Sequence, residues 1–170
     1  VYKRQGLITS LDPNVRPILI QDRKNYIKRL ERMFFDVDIL KLSNEDLQWI
    51  YPSKSLDQSF EILQSKTKAQ LLILTLGEEG SIGKTSNFEV KISSKKISDL
   101  KDTVGAGDTY MASILNWFVD HKIYNINLVK NLKKPDLFSM MDKATIAAAL
   151  NFKKIGCNPP SREDIEIFIN

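Results

Sequence analysis

An α/β layered fold built on a largely parallel sheet is what this sequence predicts, and three observations predict it. Apolar runs of strand length alternate along the chain with segments of 3.6-residue apolar periodicity, the order that a parallel sheet flanked by helices requires. The run Leu71-Leu72-Ile73-Leu74-Thr75-Leu76 is apolar on both faces, as a strand covered from both sides must be. From Asp22 onward, Tyr26, Ile27, Leu30, Met33 and Phe34 share one helical face, with Lys24, Lys28, Arg29 and Glu31 opposite, so this helix is expected to cover a sheet.

The elements follow in order. Leu7 to Leu11 reads as a first strand, stopped by the turn residues Asp12-Pro13-Asn14. Val37 to Leu42 is a second strand, after which Ser43 and Asp46 offer a helix cap for a short helix through Leu47 and Ile50 that Pro52 ends. A further helix from Leu56 to about Thr67 leads into the central strand at Leu71. Ser81-Ile82, a turn over 83–87, and the alternation of Phe88 and Val90 suggest small antiparallel strands. Asp102 to Asp108 is a glycine-rich turn, and Thr109 to Val119 a strongly apolar helix. A second long helix, from about Asp136 to Phe152, carries Ala144, Ala147, Ala148 and Ala149 for close packing. Pro159-Pro160 breaks the chain before a last short helix led by Ser161, with Glu163 and Asp164 in its first turn.

Composition removes several function classes. A formal charge of +4 over 170 residues arises from scattered lysines with no long basic run, so nucleic acid is not indicated. One cysteine, Cys157, and one histidine, His121, supply neither a disulfide framework nor zinc spacing, which suits a reducing, cytoplasmic setting. No apolar run approaches the roughly 20 residues that span a bilayer, so no membrane partner is expected. His121, Cys157 and the pair Trp117/Phe118 are read as structural. Residues 1–5 show no cap or periodicity and no initiator methionine; they are set aside as non-native, and the chain is expected to begin mid-protein.

The chemistry concentrates in Asp102-Thr103-Val104-Gly105-Ala106-Gly107-Asp108. Amides exposed where small residues lead into a helix, with the positive end of the helix dipole behind them, form a site for an anion such as a transferring phosphoryl group. Gly105 and Gly107 keep side chains from holding that phosphate off the backbone. Asp108 at the rim is placed to accept a hydroxyl proton as the oxygen attacks phosphorus. From the residues alone, a glycine turn with an N-capping aspartate accounts for the same pattern equally well.

This stretch resembles the D-T-x-G-A-G-D motif of the ribokinase-like (PfkB) carbohydrate kinases, and the rest of the chain is similar to that family in order and spacing. The matching stretches are Asp12-Pro13-Asn14-Val15-Arg16-Pro17, Lys41-Leu42-Ser43-Asn44-Glu45-Asp46-Leu47, Thr75-Leu76-Gly77-Glu78-Glu79-Gly80, and Ala147-Ala148-Ala149-Leu150 leading to Gly156. Those around Asp12 and Lys41 look most like bacterial fructokinases.

The resemblance implies a ribokinase-like layered fold, residues 6–170 forming the C-terminal part of one kinase domain without its lid and first strands. It implies ATP and Mg²⁺ as cofactors, a sugar as acceptor, and a homodimer of the full-length protein. It assigns Asp108 as catalytic base and the amides of Gly105, Ala106 and Gly107 as the anion hole. Thr75, Gly77 and Gly80 match a T-x-G-x-x-G beside the nucleotide, and Thr145 stands where the family often has an Asn near the adenine. Asp46 replaces the Glu of N-x-x-E that orients water around Mg²⁺, and Ser43 the Asn; as a pair they also make a helix cap. Asp102 is implied in a monovalent cation (K⁺) site, and Asn14 with Arg16 in substrate binding.

Fructose is the expected acceptor, with another sugar, a sugar acid or a nucleoside as alternatives, and a non-catalytic binding homologue as a reading of another class. An intact Asp108 after an intact Gly105-Ala106-Gly107 speaks against that last reading. A dinucleotide-binding oxidoreductase would need its glycines to open the first helix after a strand, with an acidic residue about 20 positions on, and no segment meets that. With the lid absent, the chain alone is expected not to turn over and to be poorly soluble.

Overall fold

The computed structural model describes residues 5–169; of the five residues set aside above, only Gln5 falls among them. Their centre is a five-stranded sheet in the order β1 (Ser10–Leu11), β2 (Ile39–Ser43), β3 (Leu71–Thr75), β4 (Ser81–Lys84), β5 (Glu89–Ile92). The first three strands run parallel, with Ile39 opposite Leu71 and Ser43 opposite Thr75. The last two continue the sheet antiparallel, Thr75 facing Ser81 and Ser81 facing Ile92. This is the expected α/β layered architecture.

Side-chain alternation divides the core in two. Ile39, Leu71, Ile73, Val90 and Ile92 face α4 (Ala106–Asp120) and α6 (Lys134–Asn151), which pack against each other and contribute Ile114, Trp117, Leu137 and Met140. Leu40, Leu42, Leu72 and Leu74 face α1 (Arg23–Asp36), α2 (Asn44–Ile50) and α3 (Leu56–Lys66), through Leu30, Phe34, Leu47 and Leu63. Each fully buried leucine or isoleucine contributes about 1.5–3 kcal/mol, so the double-faced run in β3 anchors both layers. Gly83 in β4 admits α6: a methyl built there would lie 2.1 Å from Met141 Sδ. That contact explains why Gly83 is strand and not the turn expected from its type.

Other boundaries moved for identifiable reasons. The expected strand from Leu7 shortens to two residues, and at its edge Thr9 N donates to Asp38 Oδ2 at 2.9 Å rather than to a strand carbonyl, while Thr9 O still accepts from Asp38 N and Ile39 N, both at 3.0 Å; Thr9 Oγ1 also donates to Asp38 Oδ2, at 2.8 Å. Met33 is largely exposed, leaving Leu30 and Phe34 as the buried line of α1. Helix α3 begins on a capping box of Ser55 and Gln58. The short α5 (Ile126–Lys130), capped by Asn125, was not anticipated; α7 (Arg162–Ile169) follows Ser161, whose Oγ accepts from Asp164 N at 3.1 Å. Among the described residues no helix is long and apolar enough to cross a membrane.

Candidate active site

Three parallel strands end on the same side of the sheet, and ligands of open α/β sheets bind beyond such ends. Here the segment after β1 brings Asn14 and Arg16, the start of α2 brings Asp46, the end of β3 and the turn after it bring Thr75, Gly77 and Gly80, and the N-terminus of α4 brings Gly105 to Asp108. These residues and Thr145 of α6 line one cleft of about 780 Å³. Of the site residues expected from the sequence, Asp102 alone stands outside that lining.

Helix α4 starts three residues earlier than its apolar pattern indicates, at Ala106, with Gly105 as N-cap. Asp108 therefore lies in the first turn and caps nothing. Its exposed carboxylate has no hydrogen bond or ion pair among the described residues. The amides of Gly107 and Asp108 likewise have no acceptor there, while Ala106 N makes a long 3.4 Å bond to Thr103 O. A free carboxylate thus sits beside free amides at the positive end of a helix dipole. The N-capping reading of Asp108 is overturned, and among the described residues the amide of Gly105 is free as well.

The two glycines serve different ends. Gly105 has φ +79°, and a methyl built on it would lie 2.4 Å from Cys157 Sγ; left-handed backbone and close packing both require glycine. A structural requirement for glycine at 105 thus stands beside the reason expected from the sequence. A methyl on Gly107 would point into the cleft and meet only Lys41 Nζ, at 3.5 Å.

Asp102 clamps this loop from behind. Its Oδ1 accepts from Val104 N at 3.0 Å and its Oδ2 from Gly156 N at 2.8 Å. These amide bonds, Val104 first, hold its carboxyl below the usual aspartate range. Asn151, fully buried at the end of α6, adds a second clamp. Its Nδ2 donates to Val104 O at 2.8 Å, and its Oδ1 accepts from Asn158 N at 3.2 Å and Thr109 Oγ1 at 3.4 Å.

Asp46 is 8% exposed. Its amide donates to Ser43 Oγ at 3.0 Å while its Oδ2 accepts from Ser43 N at 3.3 Å, a complete capping box. Its Oδ1 accepts from Val15 N at 2.8 Å and so ties the Asn14–Arg16 segment to α2. Asn14 takes a left-handed φ of 45°, and Arg16 directs its guanidinium to the carbonyls of Asn14 and Val15 at 3.3 and 3.1 Å.

On the opposite wall Thr75 closes β3, its Oγ1 donating to Leu42 O at 3.4 Å. Gly77 and Gly80 both have positive φ, and a methyl on Gly80 would collide with Ile92 O at 1.9 Å, so this turn is shaped by its contact with β5. Thr145 turns its hydroxyl back to Met141 O at 2.9 Å, leaving with Ala148 and Phe152 a mostly apolar strip along α6. Beneath it, burial pushes the Tyr110 phenol up to about 12, against opposing hydrogen bonds from Ser81 and Thr145.

Two cleft residues were quoted in the sequence without being given a role. Lys41, 3% exposed in β2, donates from Nζ to Asp12 Oδ2 at 2.6 Å. A lysine in the middle of an apolar strand was the available signal. His121 stacks on Trp117 with ring centroids 3.7 Å apart, away from the cleft lining.

The chain is similar to known kinases along its whole length. The fructokinase of Rhizobium leguminosarum bv. trifolii is 39% identical over 111 residues, 64% of this chain and 32% of that protein. The structure of fructokinase with bound ATP from Xylella fastidiosa superposes with a TM-score of 0.86 at 21% identity, covering 98% of this chain and 53% of that one. Aminoimidazole riboside kinase from Salmonella enterica, complexed with aminoimidazole riboside and an ATP analogue, gives 0.81 at 18% identity over 99% of this chain and 54% of that one. The chain thus spans about a third of the first protein and about half of the other two. The model of the pfkB family carbohydrate kinases matches residues 2–164, and the chain belongs to that family.

Proposed function

We propose that this chain supplies the nucleotide and phosphoryl-transfer half of an ATP-dependent sugar kinase whose acceptor is fructose. The observation that carries the proposal is the unpaired Asp108 carboxylate beside the free amides of α4, inside a cleft at the ends of three parallel strands. The fructokinase relatives support the choice of acceptor.

In this reading the acceptor hydroxyl lies against Asp108, which takes its proton as the oxygen attacks the γ-phosphorus. The amides of Gly107 and Asp108, with those of Gly105 and Ala106 behind them, bind the phosphoryl oxygens, where oriented donors favour the charge that develops. Thr75, Gly77 and Gly80 form the nucleotide wall, and the strip of Thr145, Ala148 and Phe152 receives the base. Asn14 and Arg16 reach the acceptor from the other side.

Mg²⁺ bound with ATP would neutralise phosphate charge. Asp46 fits a supporting role: it faces the cleft, each of its oxygens accepts one backbone bond, and a carboxylate has about four acceptor positions. Asp102 has similar spare capacity, and a K⁺ ion held there would brace the loop, since its carboxylate lies outside the cleft lining. A homodimer of the full-length protein belongs to the same proposal.

A nucleoside acceptor is the second reading, favoured by the similarity to aminoimidazole riboside kinase over nearly the whole chain. ADP release by the full-length protein with Mg-ATP and, in parallel, fructose, ribose, a keto-deoxy sugar acid and adenosine decides among acceptors. Fructose alone giving release supports the first reading, and adenosine or ribose replaces the acceptor. Release with none despite ATP binding would sink the kinase reading in favour of a binding homologue.

A further inference from the structure

We propose that Lys41 is a catalytic residue of the phosphoryl transfer: its ammonium binds the transferring group from the strand side of the cleft, facing the amides of α4, and Asp12 positions it. The inference rests on the kinase reading above and deepens it.

By alternation in β2, Lys41 shares the face of Ile39, where an apolar side chain would serve the core. An ammonium there gives up most of its hydration, which is costly unless a partner and a task compensate. The partner is Asp12, at 2.6 Å from Nζ. The task follows from what stands opposite. The position of a methyl on Gly107 has Lys41 Nζ at 3.5 Å, so the ammonium stands beside the N-terminus of α4, in the same cleft lining as its amide-bearing residues. An ammonium has three N–H donors. Asp12 is the one acceptor it meets among the described residues, and two donors remain for phosphate oxygens.

During transfer the bond between the γ-phosphorus and the β,γ-bridging oxygen breaks, and ADP leaves with its electron pair. The acceptor oxygen forms the new bond to phosphorus, and its proton passes to Asp108. Lys41 gains and loses no proton; it offsets negative charge on the moving phosphoryl oxygens from the side that the helix amides do not reach. Asp12 keeps the ammonium from turning away.

The test uses the full-length protein with its best acceptor, comparing Lys41→Met, Lys41→Arg, the apolar double variant Lys41→Met/Asp12→Leu, and Asp108→Asn. Turnover, thermal unfolding and the affinities for ATP and ADP by calorimetry are measured on each. Lys41→Met is expected to lower kcat about 10²–10³-fold, the range for losing one oriented transition-state donor, and to reduce the preference for ATP over ADP at least about tenfold. Lys41→Arg should recover part of kcat, and the double variant should recover thermal stability without recovering kcat. If the double variant turns over within about threefold of the unsubstituted protein while Asp108→Asn does not, the pair is only a tie between strands and the proposal is overturned, the kinase reading standing. If the unsubstituted protein phosphorylates no acceptor, the kinase reading falls and takes the proposal with it.

Discussion

The two walls of the cleft are built differently. The glycine loop before α4 is sewn to the end of α6: Asp102 reaches Val104 and Gly156, Asn151 reaches Val104, Thr109 and Asn158, and Cys157 packs on Gly105. The segment from Asn14 to Leu19 has one buried tie, Val15 N to Asp46, and then exposes Ile18 (94%) and Leu19 (77%). The wall proposed to bind phosphate is therefore preorganised within this chain, whereas the wall proposed to meet the acceptor is lightly held. Preorganised donors suit a step in which charge develops at a fixed place, and a lightly held segment suits the binding of a substrate.

The comparison can be broken from its rigid side first. Gly105→Ala must place a methyl in left-handed backbone and against Cys157, so a loss of about 3 kcal/mol is expected, read by denaturant unfolding. Asn151→Ala leaves Val104 O and Asn158 N without their buried partner; about 2–3 kcal/mol should be lost, with ATP binding weakened because the loop is freed. On the lightly held side, Asp46→Ala removes a cap and the Val15 tie, and about 1–2 kcal/mol is expected. Its KM for the acceptor should rise more than its KM for ATP. An equal rise in both would show that the two walls are not independent.

The smallest effect sharpens the comparison through pH. The Asp102 carboxyl lies below its ordinary value in the folded chain, so its contribution is fully present above the ordinary aspartate range and is lost as pH falls through the folded value. Asp102→Asn should accordingly be less stable than the unsubstituted chain near neutrality, and the gap should close in acid. A gap constant from pH 7 to pH 2 would mean that the clamp does not depend on charge.

Much of this was legible in the sequence. The double-faced run in β3 and the Ser43–Asp46 cap are local signals that fell where expected, and the glycine motif, also a local signal, lies at the start of α4 in the cleft lining. What could not be read depends on neighbours distant in sequence. Gly83 looks like a turn residue until α6 passes over it, the packing demand on Gly105 is hidden until Cys157 is seen behind it, and Asp108 looks like a cap until α4 begins at Ala106. Asn151 and the Asp12–Lys41 pair carry no local pattern, because Lys41 is 29 residues from Asp12 and Asn151 reaches Thr109 and Val104, 42 and 47 residues away. At the edge of β1, the bond from Thr9 N to the Asp38 carboxylate is likewise one that apolar periodicity does not encode.

The most direct test of the account is the turnover of the full-length protein carrying Asp108→Asn, measured with Mg-ATP and its acceptor alongside the affinity for ATP. The account predicts a fall in kcat of about 10²–10⁴-fold, the range for general-base catalysis, with ATP affinity essentially unchanged. Turnover within a few-fold of the unsubstituted protein would contradict it, since the free carboxylate at the mouth of α4 would then have no part in the reaction.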